Sequence, residues 1–304
     1  MSQGSRHRLS YIAETTRGTT PATPVFQEIS HKGSSLALKM NPINADKVRS
    51  DRQMVFYRMG TQDVQGDIDT GGLTYGEYDD FFEAALGGTW ATNVLKAGTT
   101  RRSFSIEDFY ADQSTGNPYQ TATGVEITGF DLTASINNPV EVTFHCLGQD
   151  VSLDSSIITG ATYTPSTATE LMIGFNGAIK EGGATIATIT EIQAKLDNGV
   201  KSRFTVGSTT GTTQSIGMSN LTGQVSLYFD DSTVKEEFIN RGTSSLEFEF
   251  LDASGNSYDF LVPKIIYSEA DSPTSGEGDI ILTMKFQAVL DSSSSTNLQI
   301  TRTP

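Results

Sequence analysis

Apolar and polar side chains alternate along most of this chain, and a period of two predicts strands. Leu36 and Leu38 share one side of Ser34–Met40. In Val48–Met59, Val55, Tyr57 and Met59 alternate with Met54, Phe56 and Arg58. Val64–Asp69 repeats the pattern with Gln65, Asp67 and Asp69 on its polar side. The period then changes. Tyr78, Phe81, Phe82, Ala85 and Leu86 recur at helical steps behind the capping-box pattern Thr74-Tyr-Gly-Glu77, and Gly87-Gly88 ends that helix. Residues 89–98 and 111–123 read as loops around a strand over Ser103–Tyr110. A strong hairpin follows: Phe130, Leu132, Ala134 and Ile136 face Val140, Val142, Phe144 and Cys146 across Asn137-Asn138-Pro139. Its polar side carries Asp131, Thr133, Ser135, Glu141, Thr143 and His145, so one face meets a core and the other meets water.

The programme then runs a second time. Ile189–Leu196 and Val200–Val206 read as a hairpin around Asp197-Asn-Gly199, and 207–217 reads as a loop. Leu221, Val225, Leu227 and Phe229 follow, with Gln224 and Ser226 between them. Thr233-Val-Lys-Glu236 opens a helix carrying Val234, Phe238 and Ile239. Leu246, Phe248 and Phe250 form a strand. Phe260–Tyr267 pairs with Ile280–Leu290, whose polar side carries Thr283, Lys285 and Gln287. The order strand, capped helix, strand, hairpin thus occurs in 64–147 and again in 221–290. Gly66 and Gly223, Thr74 and Thr233, and Gly88 and Gly242 occupy like places. Such long spacing suits two similar domains rather than a solenoid. The expected layout is an extended, Pro-containing arm over 1–30, a first β domain over 31–150 and a linker over 151–170. A second β domain over 171–291 and a flexible tail over 292–304 complete it.

The composition narrows the function. Thirty-six acids against 21 bases give a formal charge of −15, which argues against gripping nucleic acid or an anionic membrane by charge. The single Cys146 excludes a disulfide within the chain and a Cys-based zinc cluster. Residues 1–16 lack the apolar stretch of a secretory signal, and no run reaches the roughly 18 apolar residues of a membrane-spanning helix. Phosphate-loop, dinucleotide and nucleophile-elbow motifs are missing, His7, His31 and His145 are not spaced as ligands, and Asp67-Ile-Asp69 fails as a calcium loop because Tyr78 stands where the last ligand belongs. No catalytic, cofactor-binding or metal-binding residue is expected, and no enzyme activity.

Four stretches resemble the major tail tube proteins of long-tailed bacteriophages. They are Tyr11-Ile-Ala-Glu-Thr-Thr-Arg-Gly-Thr-Thr-Pro-Ala-Thr-Pro24, Val48-Arg-Ser-Asp-Arg-Gln53, Asp63-Val-Gln-Gly-Asp67 and Tyr75-Gly-Glu-Tyr-Asp-Asp-Phe-Phe-Glu-Ala-Ala-Leu-Gly-Gly-Thr-Trp90. They cover about the first ninety residues; beyond residue 100 only the β-rich pattern continues the likeness. The resemblance implies a mainly β fold of β-sandwich or split-barrel domains, each with a flanking helix, contributing to a ring-wide β-barrel. It implies stacked rings forming a hollow tube in the virion, assembled in the host cytoplasm, through which DNA passes without specific binding. Implied partners are further copies of the chain and, at the tube ends, the tape measure, terminator and distal tail proteins. The internal repeat points to the siphophage-type tandem form, a trimeric ring with pseudo-sixfold symmetry; a hexamer is the alternative.

On this reading the polar hairpin faces line the lumen: Gln65, Asp67, Asp69, Asp131, Thr133, Ser135, Glu141 and Thr143, then Gln224, Ser226, Thr283, Lys285 and Gln287. Candidate contacts between subunits are Pro21, Pro24, Arg49, Arg52, Arg58, Arg101 and Arg102. The arm 1–30 and the loops 89–102, 111–123 and 207–217 are candidates for stacking along the tube. The apolar faces are expected to meet the helices at Phe81, Phe82 and Phe238. The alternatives are another tail ring component, such as a terminator or baseplate ring protein, a β-sandwich carbohydrate-active enzyme, and a surface adhesion module.

Overall fold

The computed structural model describes residues 3–45, 47–113, 115–166, 170–174, 178–230, 232–274 and 277–304. Strand takes 53% of the chain and helix 6%, so sheets decide the architecture. The first elements are β1 (His7–Ala13), β2 (Val25–Ile29), β3 (Gly33–Ser34), β4 (Ala37–Asn44), β5 (Tyr57–Asp69), α1 (Asp79–Leu86), β6 (Val94–Lys96) and β7 (Phe104–Tyr110). Next come β8 (Tyr119–Ser135), β9 (Glu141–Gly148), β10 (Asp150–Asp154), β11 (Thr162–Thr164), β12 (Ile179–Glu181), β13 (Ala184–Thr185) and β14 (Ile189–Asp197). The last are β15 (Lys201–Arg203), β16 (Thr213–Ser215), β17 (Asn220–Tyr228), α2 (Thr233–Ile239), β18 (Ser244–Leu251), β19 (Ser257–Asp271), β20 (Ile281–Ala288) and β21 (Gln299–Thr303).

One long sheet runs β4-β5-β9-β8-β14-β17-β20-β19, antiparallel throughout. Two further sets of strands branch from it. The first is β11-β2-β1-β7-β8-β10, and the second is β13-β12-β18-β19-β21-β6. The branch points are β8 and β19, whose first halves belong to the branch and whose second halves belong to the long sheet. Each shifts register at its bend, β8 against β9 between Ile127 and Gly129 and β19 against β20 between Tyr267 and Glu269. A bulge of this kind lets one strand serve two sheets.

The core lies between these layers and around α1. Phe81, Phe82, Ala85 and Leu86 bury one side of the helix, and Phe82 meets Phe130, Phe144, Tyr258 and Phe260. Gly87 ends α1 with φ 61°, a left-handed position that a side chain would strain. The expected capping box does not form, because Thr74 and Glu77 bond to each other through their side chains and Tyr78 stands at the N-cap with no side-chain cap. Thr74 donates to Glu77 Oε2 at 2.5 Å, but the helix begins at Asp79, and Glu77 also accepts the Ser30 N–H. Gly66 and Gly223 are needed for close approach. A Cβ on Gly66 would lie 2.3 Å from the Ser35 carbonyl oxygen, and one on Gly223 2.2 Å from that of Gln193.

Several expectations are corrected. The expected extended arm over 1–30 is not found over residues 3–30: β1 pairs with β7 along its whole length, and Leu9 and Phe26 are fully buried. Pro21 and Pro24 sit in the β1–β2 connection, where no ladder N–H is required. The segment read as a linker contributes β10 and β11, and the tail contributes β21, with Leu298 and Ile300 in the core. The loops at 89–98, 111–123 and 207–217 shorten, since β6, the start of β8 and β16 fall within them. The strand expected over Val48–Met59 begins only at Tyr57, and Val48, Met54 and Val55 are exposed. Around Gly199 the expected hairpin does not form. β14 pairs with β8 and β17, while β15 pairs with β16. Phe238 is only partly buried, and the side chains of Thr233 and Val234 lie outside the described residues.

Candidate assembly edges and inner sheet face

The polar positions of the long sheet share one face. Asp67 stands opposite His145, Asp69 and Asp131 flank Thr143, and Thr133 lies between Glu141 and Gln193. Ser135 stands opposite Glu191, Gln224 between Gln193 and Lys285, Ser226 opposite Thr283, and Gln287 opposite Thr222. Gln65, two residues before Asp67, completes the row. All the sequence-named lumen candidates therefore meet on one surface. Sequence reasoning missed the contribution of β14 to this surface: Glu191, Gln193 and Lys195. Their alternation with Ile192 and Ala194 was visible, but the Asn-Gly turn suggested a different partner strand.

Several charges on this face are paired. His145 Nδ1 lies 2.7 Å from Asp67 Oδ1, and its Nε2 lies 3.3 Å from Asp131 Oδ1. These contacts, Asp131 first, raise the His145 pKa above its ordinary value against the opposing effect of burial. Burial would raise the Asp131 pKa, but His145 and Lys195 together hold it below the usual range. Lys195 lies 3.2 Å from Asp131, and Lys285 2.6 Å from Glu269. A lysine already held by a carboxylate is a poor grip for a phosphate.

The two borders of the long sheet are open. Among the described residues β4 pairs with β5 on one side only. Residues 266–271 of β19 pair with β20, but on the other side, where the pairing of β19 with β18 stops at Ile265, no strand continues among the described residues. Unpaired N–H and C=O groups at such borders template pairing with another chain.

The basic candidates separate into two kinds. Arg101 is bound within the chain to Glu126 and to the Gln214 carbonyl, and Arg102 to Glu83 and Thr89. Pro24 is buried. Arg49, Arg52 and Arg58 are exposed on the hairpin of β4 and β5, where Arg49 pairs with nearby Asp51. The apolar side chains around them, Ile43, Val48, Met54, Val55, Phe56 and Met59, are exposed too.

Open borders, one continuous polar face and an exposed apolar hairpin describe a part of a larger assembly. A family model described as phage tail tube protein matches residues 4–288. The chain belongs to the phage tail tube protein family. No curated relative matches the sequence. As a tail tube protein the chain is a structural component of the bacteriophage virion. Membership implies self-assembly into a tube and contact with other tail proteins.

Proposed function

We propose that the chain is a tandem tail tube protein of the siphophage type. Three copies close a ring whose inner wall is one β-barrel, and the rings stack into the conduit that delivers DNA to the host. The correspondence between the two halves carries this reading. β4-β5-β9-β8 matches β14-β17-β20-β19 in order and direction. β1 and β2 match β12 and β13 beside β7 and β18, and β10 matches β21. α1 and α2 follow the matching strands β5 and β17. Gly66 and Gly223 match through the carbonyl each one faces.

Given that match, the seam inside the chain predicts the seam between chains. Within the chain, Asp197 stands opposite Gly129 and Leu196 opposite Phe130. Ser35 corresponds to Gln193, and the β19 bend corresponds to the β8 bend. The free border of β4 then meets that of β19 in a neighbouring copy with Lys39 opposite Glu269 and Leu38 opposite Ala270. The pairing places opposite charges together on the polar face. It also joins two partly buried apolar side chains on the core face. Closing the sheet into a barrel removes both borders.

The polar face then lines the lumen. Each chain brings a formal charge of −15, and a hydroxyl-rich, net-negative wall with Lys195 and Lys285 held by carboxylates repels the DNA backbone rather than holding it. No catalytic residue is required. The tube ends meet the tape measure, terminator and distal tail proteins, and the tube is assembled in the host cytoplasm. Electron microscopy of the purified chain tests the proposal: hollow rods with three chains per ring are expected. A ring of six chains, or a protein that stays monomeric at every concentration, contradicts it.

A further inference from the structure

His7 and His31 meet at the rim of the core. In the β1–β2 ladder Leu9 stands opposite Ile29, and one step further along the same face His7 stands opposite His31. Leu9 and Ile29 are buried beneath them. The two rings meet edge to face, with His7 Nδ1 2.7 Å from His31 Nε2. The other nitrogen of each ring faces an acceptor. His7 Nε2 lies 3.2 Å from Asp108 Oδ1, and His31 Nδ1 lies 3.3 Å from the Ile29 carbonyl oxygen.

These contacts fix the protons. A carbonyl oxygen only accepts, so His31 carries its proton on Nδ1 and turns the lone pair of Nε2 towards His7. Asp108 is 2% exposed, and its Oδ2 has no hydrogen-bond partner among the described residues. A buried carboxylate needs a cation beside it, and His7 supplies one by carrying a proton on both nitrogens. Its Nδ1–H then donates to His31 Nε2, and the single positive charge of the pair answers Asp108. The neighbouring charged groups have partners of their own. Glu77 accepts from the Ser30 N–H and the Thr74 hydroxyl, and Lys32 lies between Asp69 and Glu141. Arg8 pairs with Glu28 and Glu107, and Arg6 with Asp112. The Tyr110 ring lies 5.0 Å from that of His7.

We infer that the pair is an acid-sensitive latch between β1 and the β2–β3 connection. One proton between the rings closes it. A second proton, on His31 Nε2, sets two N–H groups and two positive charges against each other and opens it. Burial first, and then the charge on His7, hold the His31 pKa below its ordinary value against the pull of the Ile29 carbonyl, Asp108 and Glu77. The unfolded chain takes up that proton near its ordinary pKa of about 6.5, whereas the fold resists it. The contribution of neutral His31 is therefore complete above about pH 6.5 and is lost as pH falls from there towards the folded value. One linked proton changes the folding equilibrium by at most about tenfold per pH unit. The latch belongs to the first branch of strands alone and holds whether or not the chain forms a tube.

His31→Gln tests the latch, because a glutamine amide oxygen accepts the His7 N–H but takes up no proton. Urea unfolding of wild type and variant is compared at about pH 7.5 and about pH 5, at a protein concentration too low for assembly. Titrations elsewhere in the fold are common to both proteins and cancel in the comparison. Over that interval the wild-type folding equilibrium is expected to fall at least about threefold more than that of the variant. Equal losses overturn the inference. If the variant does not fold, nitrogen NMR of the wild-type histidine side chains near neutral pH decides. A neutral His31 protonated on Nδ1 beside a His7 protonated on both nitrogens supports the latch, and any other assignment of the two rings overturns it.

Discussion

Phe82→Ala is the sharpest test of how the two halves of the chain are held together. Phe82 is fully buried. Its ring centroid lies 5.3 Å from Phe144 and 5.5 Å from Phe130 on one side, and 5.8 Å from Phe260 and 5.9 Å from Tyr258 on the other. The side chain therefore joins β8 and β9 to β19. Lost burial accounts for about 1.5–3 kcal/mol. Each aromatic contact adds about 0.5–1.5 kcal/mol, less than additively. With a cavity that four rings cannot refill, the total comes to about 3–5 kcal/mol. Phe238→Ala, at a partly buried position on α2, is expected to cost about 1–2 kcal/mol. Urea unfolding followed by circular dichroism measures both, at a protein concentration too low for assembly, because association would add to apparent stability. A Phe82→Ala loss below about 1.5 kcal/mol, or a Phe238→Ala loss as large, refutes the packing argument.

Three further outcomes are expected. Gly129→Ala would place a Cβ 2.0 Å from the Leu196 carbonyl oxygen, pushing β8 from β14 at a cost of about 2–3 kcal/mol in urea unfolding; Gly4→Ala, with open space around it, should change stability by less than about 0.5 kcal/mol. His145 has a raised pKa in the fold, so its ion pairs stabilise fully below its unfolded pKa of about 6.5 and lose their effect as pH rises through the folded value. His145→Asn should therefore be most damaging near pH 6 and least damaging near pH 9, and a pH-independent difference would discount the Asp67–His145–Asp131 cluster. At Asp259, burial first, then Glu247 and Glu249, pushes the pKa up to about 6. Its ionisation therefore lowers stability as pH rises from about 4 past about 6. Asp259→Asn should exceed wild type in stability near pH 8 and match it near pH 4, and an unchanged ranking across that range would count against the burial argument.

The local periodicities were legible in the sequence because each strand carries its own inside and outside. The hairpin around Asn137-Asn138 and the placement of Asp67, Asp131 and Gln224 on one face needed only alternation. Partner choice was not legible. Asp197-Asn-Gly199 is a good turn, and Gly199 does adopt φ 58°, yet β14 lies between β8 and β17. A seam across roughly sixty residues of chain leaves no local signal. The first thirty residues misled for a related reason. Their polar composition and prolines describe the β1–β2 connection, while Leu9, Tyr11, Phe26 and Ile29 are buried. Likewise Arg101 and Arg102 looked like free surface charges until Glu126 and Glu83 were brought beside them from distant positions.

The central claim is that the border of β4 in one chain completes the border of β19 in the next. Lys39→Cys/Glu269→Cys tests it directly, since the one native thiol, Cys146, is buried. Cys residues directly opposite across two strands lie near the separation a disulfide requires. Mild oxidation of assembled protein should give covalent dimers and closed trimers on a non-reducing gel, and Lys39→Cys/Asp271→Cys, two residues out of register, should not. Monomers alone from the matched pair, or equal cross-linking from both pairs, would contradict the account.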